Sequence, residues 1–229
     1  MLRLIASGIK VVTLAVILGT GLVANATAQQ EDSGFLKDYS QLKSEKDPLG
    51  VERRIWISPK LTRANYQKVL MQPVSFYPAP QPSGKVSKEA LNEIRDYIDG
   101  ATRKALASVV SLSDAPGAGV LRLRMAITAA AVGEGAKLKA YQYVPVALAA
   151  TAAKEASGSG STRNVQLFVE SEITDSVSGE PLLLVVREAQ GVQLKSNEKL
   201  TLQKAKPQID KWAEAVQQTL AARLKPAGK

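Results

Sequence analysis

The chain has 229 residues, of which 45% are hydrophobic and 22% charged, with a formal net charge of +9 and neither cysteine nor histidine. This composition is ordinary for a globular protein and argues against a wholly disordered chain. Without cysteine and histidine, disulfide bonds, thiolate chemistry and histidine-dependent triads are excluded, and a zinc site would need carboxylate ligands alone.

The first residues have the pattern of an export signal. Two basic residues precede an apolar run over residues 11–24, and small residues at alternate positions follow it. This order predicts a signal peptide over residues 1–28 that is cleaved after Ala28, with Ala26 as the alternative site. A permanent anchor is the competing interpretation, but such a run spans only about 21 Å as a helix, short of the roughly 30 Å of hydrocarbon. We therefore expect a periplasmic or secreted protein with no permanent membrane span after cleavage.

The mature chain divides into an N-terminal arm and a single domain. Residues 29–50 are polar with few apolar anchors and are predicted to form an extended arm, whereas residues 51–229 are predicted to form one α+β domain. At the start of this domain, residues 53–57 predict a short strand. Residues 67–77 predict a second strand, in which Pro73 indicates an edge position or a bulge.

Two segments have the three- and four-residue apolar spacing of amphipathic helices. The first covers residues 88–110, with Ser87 as its N-cap. The second is the last helix, with Pro207 in its first turn and one buried stripe. The residues of this stripe are Ile209, Trp212, Val216, Leu220 and Leu224. The small apolar residues of 144–156 predict a short helix that packs on the sheet or forms a groove for a partner.

Three further segments predict strands. Residues 121–127 and 165–173 alternate between apolar and polar side chains, as half-buried strands do. The apolar run over 182–189 returns after a turn at 175–180, which predicts a β-hairpin. The order of the elements predicts an α+β fold with a mainly antiparallel sheet and two principal amphipathic helices packed on one face.

Glu170 and Glu172 are two residues apart on a predicted strand, so their side chains share one face. Such a pair could support carboxylate-dependent hydrolysis. The same spacing in Arg122 and Arg124 indicates cross-strand ion pairs instead, and no third catalytic group accompanies the acids. We therefore predict no catalytic, cofactor-binding or metal-ligating residue, no cofactor and no enzymatic activity.

Basic residues are concentrated in two parts of the chain, residues 51–69 and 195–229. From them we select a candidate anionic-partner patch that comprises Arg53, Arg54, Lys204, Lys206 and Lys211. Anionic lipid or lipopolysaccharide is the kind of ligand that such a patch would bind. The alternative is that the net charge only keeps the protein soluble. Nucleic acid is not expected as a partner because of the export signal.

Four stretches of the chain are similar to one bacterial protein family. They are residues 33–42 (SGFLKDYSQL), 66–74 (YQKVLMQPV), 172–181 (EITDSVSGEP) and Trp212-Ala213 of the last helix. On these residues the chain resembles the domain-of-unknown-function family DUF3313, whose members are described as lipoproteins. The resemblance extends over nearly the whole mature chain.

This resemblance implies a single α+β domain in the envelope of a Gram-negative bacterium, with no established activity and no catalytic residues to transfer. One departure concerns the lipid anchor, because family members commonly have a cysteine after the signal, where this chain has Thr27 or Gln29. We therefore expect an exported, non-enzymatic accessory or binding module with an envelope protein or glycan as partner. The alternatives are an electrostatic binder of anionic lipid or lipopolysaccharide and, less favoured, a carboxylate-dependent hydrolase.

Overall fold

The computed structural model describes residues 32–79, 87–134, 163–188, 192–195 and 198–224. The predicted signal peptide and the small-residue run over 144–156 lie outside these described residues. Within them the chain forms two helices, α1 (Lys88–Ala107) and α2 (Leu202–Leu224), and strands that join in one nine-stranded sheet. Neither described helix is both long and apolar enough to cross a membrane.

The sheet is mixed, with antiparallel pairs in the majority. Its strands are β1 (Lys43–Lys46), β2 (Glu52–Ile57), β3 (Lys68–Met71), β4 (Ser75–Phe76), β5 (Ser111–Leu112), β6 (Val120–Glu134), β7 (Arg163–Asp175), β8 (Pro181–Glu188) and β9 (Val192–Leu194). Their order across the sheet is β1-β2-β8-β7-β6-β3-β5, with β4 beside β6 and β9 beside β7. Only the pairs that involve β3, β4 or β5 are parallel among these strands. The predicted α+β class is therefore confirmed.

The predicted hairpin is confirmed as β7 and β8, and β7 also pairs with β6 on its other side. In the connecting turn, Asp175 Oδ1 accepts the backbone N–H groups of Val177 and Ser178 at 2.9 and 2.8 Å. Gly179 has a φ of +74°, a conformation that residues with a Cβ rarely adopt. These local interactions explain why the chain reverses at this point.

Both helices bury one stripe of apolar residues, as their spacing predicts. At the start of α1 the Ser87 Oγ accepts the N–H of Ala90, which confirms the predicted N-cap. The buried apolar residues of the two helices include Leu91, Ile94, Ile98 and Leu106 of α1 and Ile209, Trp212, Leu220 and Leu224 of α2. Val216 of the predicted stripe is half-buried.

Pro207 lies inside α2, and the prediction that it stands in the first turn is wrong. The helix begins at Leu202, more than one turn earlier. Because proline has no N–H, the backbone hydrogen bond to the carbonyl of Gln203 is lost, which costs free energy. Burial of Leu200 and Ala205, which are 2% and 1% exposed, stabilises the preceding turn. Tertiary packing therefore extends the helix beyond the start that the local signal indicates.

Residues 67–77, which are predicted to form one strand with an edge position or a bulge at Pro73, form two short strands instead. β3 and β4 are separated around Pro73, which has no N–H for a sheet ladder. Directly after it, the Val74 N–H donates to the Asp99 Oδ1 of α1 at 3.0 Å instead of to a neighbouring strand. Proline thus marks an interruption between two strands that both pair with β6.

Alternation along the strands divides the buried apolar residues into two clusters. Sheet residues of the main core, which also contains residues of both helices, include Leu123, Ile173 and Val185. The second cluster is formed by Phe35, Leu36, Ala126, Leu184 and Val186. Because neighbouring residues of a strand point to opposite faces, Leu184 and Val185 belong to different clusters.

Gly100 allows a test of whether a glycine in the interior of α1 lowers the stability of the protein. It lies in the middle of the helix without a positive φ, and a Cβ built on it meets nothing within 4 Å beyond the helix's own neighbouring backbone. We expect Gly100→Ala to raise the free energy of unfolding by about 1 kcal/mol in urea denaturation, because alanine is the better helix former.

Gly179→Ala is the matched control, since its φ of +74° strains any residue with a Cβ. We expect this substitution to lower the free energy of unfolding. A stabilisation at both positions would contradict the assignment of the two backbone conformations.

Candidate functional site

The second cluster attaches an N-terminal segment to the sheet. We name residues 32–42 the docked segment. Its side chains Phe35 and Leu36 are 8% and 2% exposed, and they pack with Ala126 and Leu184 of the sheet. Two buried apolar side chains thus attach a segment that is otherwise polar.

The Tyr39 hydroxyl organises the docked segment and connects it to β7. Its oxygen accepts the backbone N–H groups of Gly34 and Leu36, both at 3.1 Å, and lies 3.2 Å from Ser33 Oγ. The hydroxyl donates to Glu170 Oε2 at 2.7 Å. Glu170 is 1% exposed, and a buried carboxylate requires such a partner because its desolvation is costly.

Arg124 of β6 holds the second anchor of the segment. Its guanidinium lies over the Phe35 ring, 4.6 Å from the centroid, and Nη2 donates to the Phe35 carbonyl oxygen at 3.3 Å. The same guanidinium donates to Glu172 Oε2 at 2.7 Å. The Phe35 and Tyr77 rings form a T-shaped contact, with centroids 5.8 Å apart. A cation–π contact, a hydrogen bond and an aromatic contact therefore converge on one phenylalanine.

Arg54 of β2 contacts the docked segment at a third point. Its Nη2 lies 2.7 Å from Asp32 Oδ1, and its guanidinium lies 5.8 Å from the centroid of the Tyr39 ring. Both partners belong to the docked segment. Arg54 therefore contributes to attachment of the docked segment, although this partly exposed ion pair adds little stability by itself.

The electrostatic surroundings favour the neutral form of Tyr39. Burial, together with the hydrogen bond to the Glu170 carboxylate, raises the pKa of Tyr39 to about 12, against an opposing effect of Ser33. A phenolate at this position would lose the hydrogen bond and would lie beside a carboxylate. The hydroxyl is therefore suited to donating a hydrogen bond and not to acting as a base near neutral pH.

One of the two predicted cross-strand ion pairs is present and the other is not. Arg124 pairs with Glu172, as their register requires. Arg122 instead donates to the Ser176 carbonyl oxygen at 2.6 Å, because it is opposite Thr174 and not opposite Glu170. The partner of Glu170 is Tyr39, which sequence reasoning missed because 131 positions separate them. Their pairing depends on how the segment folds back.

Arg53 of the candidate anionic-partner patch is buried inside the domain. Its side chain is 7% exposed and lies 2.7 Å from Glu45 of β1, and it donates to Thr219 Oγ1 of α2 at 2.8 Å. Beside it, Arg187 Nη1 and Asp47 Oδ2 lie 2.6 Å apart, with both side chains buried. Burial lowers the pKa of Arg187, and Asp47 opposes this effect. Arg53 is thus part of an internal ionic network.

The other members of the candidate patch lie elsewhere. Lys204 pairs with Glu198 at 3.0 Å, Lys206 lies 5.3 Å from the Tyr97 ring centroid, and Lys211 is exposed. Fifteen residues of α2 separate Lys204 from the Thr219 that binds Arg53, a distance of about 22 Å along the helix. The structure therefore does not bring the five predicted residues together in one surface.

A small cavity lies inside the main core between the helices and the sheet. Its volume is about 50 Å³, which is room for a few water molecules and far below the size of a ligand pocket. Its lining is mostly apolar and includes Trp212, whose Nε1 has no hydrogen-bond partner in the part of the chain that the structure describes. Within the same part, no group of three or more acidic side chains could hold a metal ion.

Removal of the Tyr39 hydroxyl tests the attachment directly. We expect Tyr39→Phe to lower the free energy of unfolding by about 1–3 kcal/mol in urea denaturation, because the buried Glu170 loses its hydrogen-bond donor. Tyr97→Phe is the matched control, since its hydroxyl donates to the exposed Asp210 at 2.7 Å. Tyr97→Phe should lower the free energy of unfolding by less than Tyr39→Phe does. An equal decrease in both variants would contradict the assigned role of Tyr39.

The raised pKa of Tyr39 predicts how its contribution depends on pH. An ordinary tyrosine has a pKa of about 10, and the folded value is about 12, so folding favours the protonated form. The contribution is therefore complete below about pH 10 and is lost as the pH rises through about 12. Urea denaturation should show the stability difference between the wild type and Tyr39→Phe shrinking over this range. A difference that stays constant would contradict the prediction.

The solved structures that match this chain are distant from it. The PelC dodecamer from Paraburkholderia phytofirmans is 14% identical, with a TM-score of 0.35 over 72% of this chain and 96% of that chain. A homologue of the neuraminyllactose-binding hemagglutinin from Helicobacter pylori is 12% identical, with a TM-score of 0.33 over 73% and 86%. At such scores the likeness supports no statement about function.

Sequence comparison gives a closer relationship. The chain is 30% identical over 186 residues to the uncharacterized lipoprotein YdcL of Escherichia coli strain K12, which covers 81% of this chain and 83% of the relative. The model of the family described as "Protein of unknown function (DUF3313)" matches residues 31–216. This match includes the docked segment, the whole sheet and most of α2. The chain belongs to the DUF3313 family.

Proposed function

We propose that this protein is an exported module of the cell envelope that binds a protein or glycan of that compartment and catalyses no reaction. Its relationship to a lipoprotein supports the envelope as its place of action. The observation that carries the proposal is the hydrogen bond between Tyr39 and Glu170, because it uses the carboxylate that a hydrolase would need.

Both acidic candidates for catalysis have structural roles instead. Glu170 and Glu172 are 1% and 7% exposed, and they bind Tyr39 and Arg124 respectively. A general acid or a nucleophile must reach its substrate, whereas these two carboxylates lie next to the docked segment. Their charges therefore serve to attach the N-terminus to the sheet.

The proposed location depends on the predicted signal peptide over residues 1–28. Cleavage after Ala28 would leave Asp32, which pairs with Arg54, as the fourth residue of the mature chain. The chain has no cysteine that could carry a lipid, although its relative is a lipoprotein. We therefore favour a periplasmic or secreted form over a lipid-anchored one.

We infer that α1 and α2 cover one face of the sheet and that the docked segment covers part of the other. The main core joins both helices to one set of strand residues, and the second cluster joins the segment to the alternate set. A partner is then expected to bind to the outer helix surfaces, to a sheet edge or to the site that the segment occupies.

Analysis of the mature N-terminus tests the location. We expect mass spectrometry to find the chain starting at Gln29, and cell fractionation to place it in the periplasm or the medium. The intact chain with Met1 in the cytosol would contradict the proposal. The proposal that the protein catalyses no reaction would be contradicted by an enzymatic activity of the wild type that is lost in both Glu170→Gln and Glu172→Gln while these variants stay folded.

A second candidate function is electrostatic binding to anionic lipid or lipopolysaccharide. Lys206 and Lys211 are exposed on the first half of α2 and favour it, whereas Arg53 is buried and Arg54 is paired within the chain. A surface of this kind would be limited to the lysines of α2, where Lys204 and Lys211 share one helix face and Lys206 is rotated from Lys211 by about 140°.

Vesicle co-sedimentation tests this second candidate. Binding to vesicles that contain phosphatidylglycerol should fall steeply between about 50 and 200 mM salt, because salt screens such interactions. The double variant Lys206→Glu with Lys211→Glu should abolish vesicle binding. The double variant Lys68→Glu with Lys88→Glu is the matched control, because it makes the same charge change at exposed sites elsewhere, and it should retain binding. Equal loss in both double variants, or no dependence on salt, would exclude a specific lysine surface.

A further inference from the structure

The docked segment is a self-contained unit. Its backbone N–H groups at Gly34 and Leu36 donate to Tyr39 Oη, and those at Phe35 and Ser40 donate to side chains within the segment. The Leu42 N–H donates to the Tyr39 carbonyl at 3.1 Å. The conformation of these eleven residues therefore depends on hydrogen bonds that the segment makes with itself.

The segment is held to the rest of the domain by side-chain contacts and not by a sheet ladder. In the described part of the chain, strand pairing begins only at β1, after the segment. The contacts across the boundary include those of Tyr39 with Glu170, Arg124 with Phe35 and Arg54 with Asp32, besides the packing of the second cluster. A unit with this kind of attachment can in principle leave the sheet without breaking a strand pair.

The surface under the segment has three distinct subsites. An aromatic subsite is formed by Arg124 and Tyr77 around the Phe35 ring. An aliphatic subsite of Ala126, Leu184 and Val186 belongs to the same cluster as Leu36. The buried Glu170 carboxylate forms a subsite for a phenol. Together the three subsites fit a peptide in which an aromatic residue is followed directly by an aliphatic residue, with a tyrosine three positions after the aliphatic one.

We propose that this surface is a peptide-binding site that accepts the docked segment of a second copy of the chain as well as its own. The inference builds on the proposed binding function and names the site and the class of ligand. The recognised chemistry is that of residues 32–42 themselves, which the structure shows seated on all three subsites. No other ligand needs to be assumed.

The chain's own segment competes with any second copy. A segment tethered by a short link has an effective concentration on the order of 1 mM, so exchange between copies is suppressed while the tether is intact. Substitutions that weaken the resident segment remove this competition. The site then becomes available to a segment supplied from outside.

A fluorescent peptide of residues 32–42 stands for the segment of a second copy. The receptor is the full mature chain, either wild type or with Phe35→Ala and Tyr39→Phe in its own segment. We expect the peptide to bind the double variant, and to bind the wild type at least about tenfold more weakly because of competition from the resident segment. Fluorescence anisotropy measures both affinities.

Changes in the peptide test the subsites without altering the receptor. Phe35→Ala or Tyr39→Phe in the peptide should each weaken binding to the double variant at least about tenfold, the scale of a lost buried contact. Lys37→Ala in the peptide is the matched control, because Lys37 is exposed in the docked segment, and it should bind like the parent. Equal binding by all peptides, or by a scrambled peptide, would overturn the proposal.

The wild-type chain keeps the proposal testable if the double variant does not fold. At peptide concentrations several times above about 1 mM, the parent peptide should displace the resident segment, and the NMR signals of Gly34 and Leu36 should shift to those of a free segment. Absence of displacement, or of binding to a folded double variant, would overturn the inference. Neither result would affect the envelope location, which the mature N-terminus tests separately.

Discussion

The hydrogen bond from Tyr39 to Glu170 is the interaction on which the rest of this structure depends. A carboxylate that is 1% exposed must be compensated by a donor, and the nearest donor comes from a segment far away in the sequence. The pairing therefore ties the docked segment to the central strand β7. It also occupies one oxygen of the Glu170 carboxylate and places the docked segment over the sheet.

The alternation of side chains along β2 explains why the basic residues do not act as one group. Arg53 and Arg54 are neighbours, so they point to opposite faces of the sheet. Arg53 enters an internal network with Glu45 and Thr219, whereas Arg54 contacts the docked segment. Two adjacent positive charges thus hold different parts of the fold, and neither is available as a free cation for an external partner.

Much of the fold could be predicted from local sequence signals. Three- and four-residue spacing located α1, a serine identified its N-cap, and an alternating pattern followed by a polar turn identified the β7–β8 hairpin. Local signals failed where tertiary packing decides the outcome. Burial of Ala205 extends α2 to the N-terminal side of Pro207. The sequence around Pro207 contains no signal for this tertiary contact.

The candidate site was harder to predict than the fold. Phe35, Leu36 and Tyr39 are recognisable as apolar anchors of the N-terminal arm, but the sequence does not say which surface they contact. The register of β6 against β7 decides that Arg124 meets Glu172 and that Glu170 stays available for Tyr39. Register and the return of a distant segment are long-range properties, which composition and periodicity do not encode.

Amide hydrogen exchange at Gly34 and Leu36 tests the central claim most directly, because both N–H groups donate to the Tyr39 hydroxyl. The docked state predicts slow exchange at both amides in the wild type, and fast exchange at both in Tyr39→Phe while the amides of β7 stay protected. Exchange of Gly34 and Leu36 at the rate of an unfolded peptide in the wild type would show that the segment is not held on the sheet, and would contradict the account.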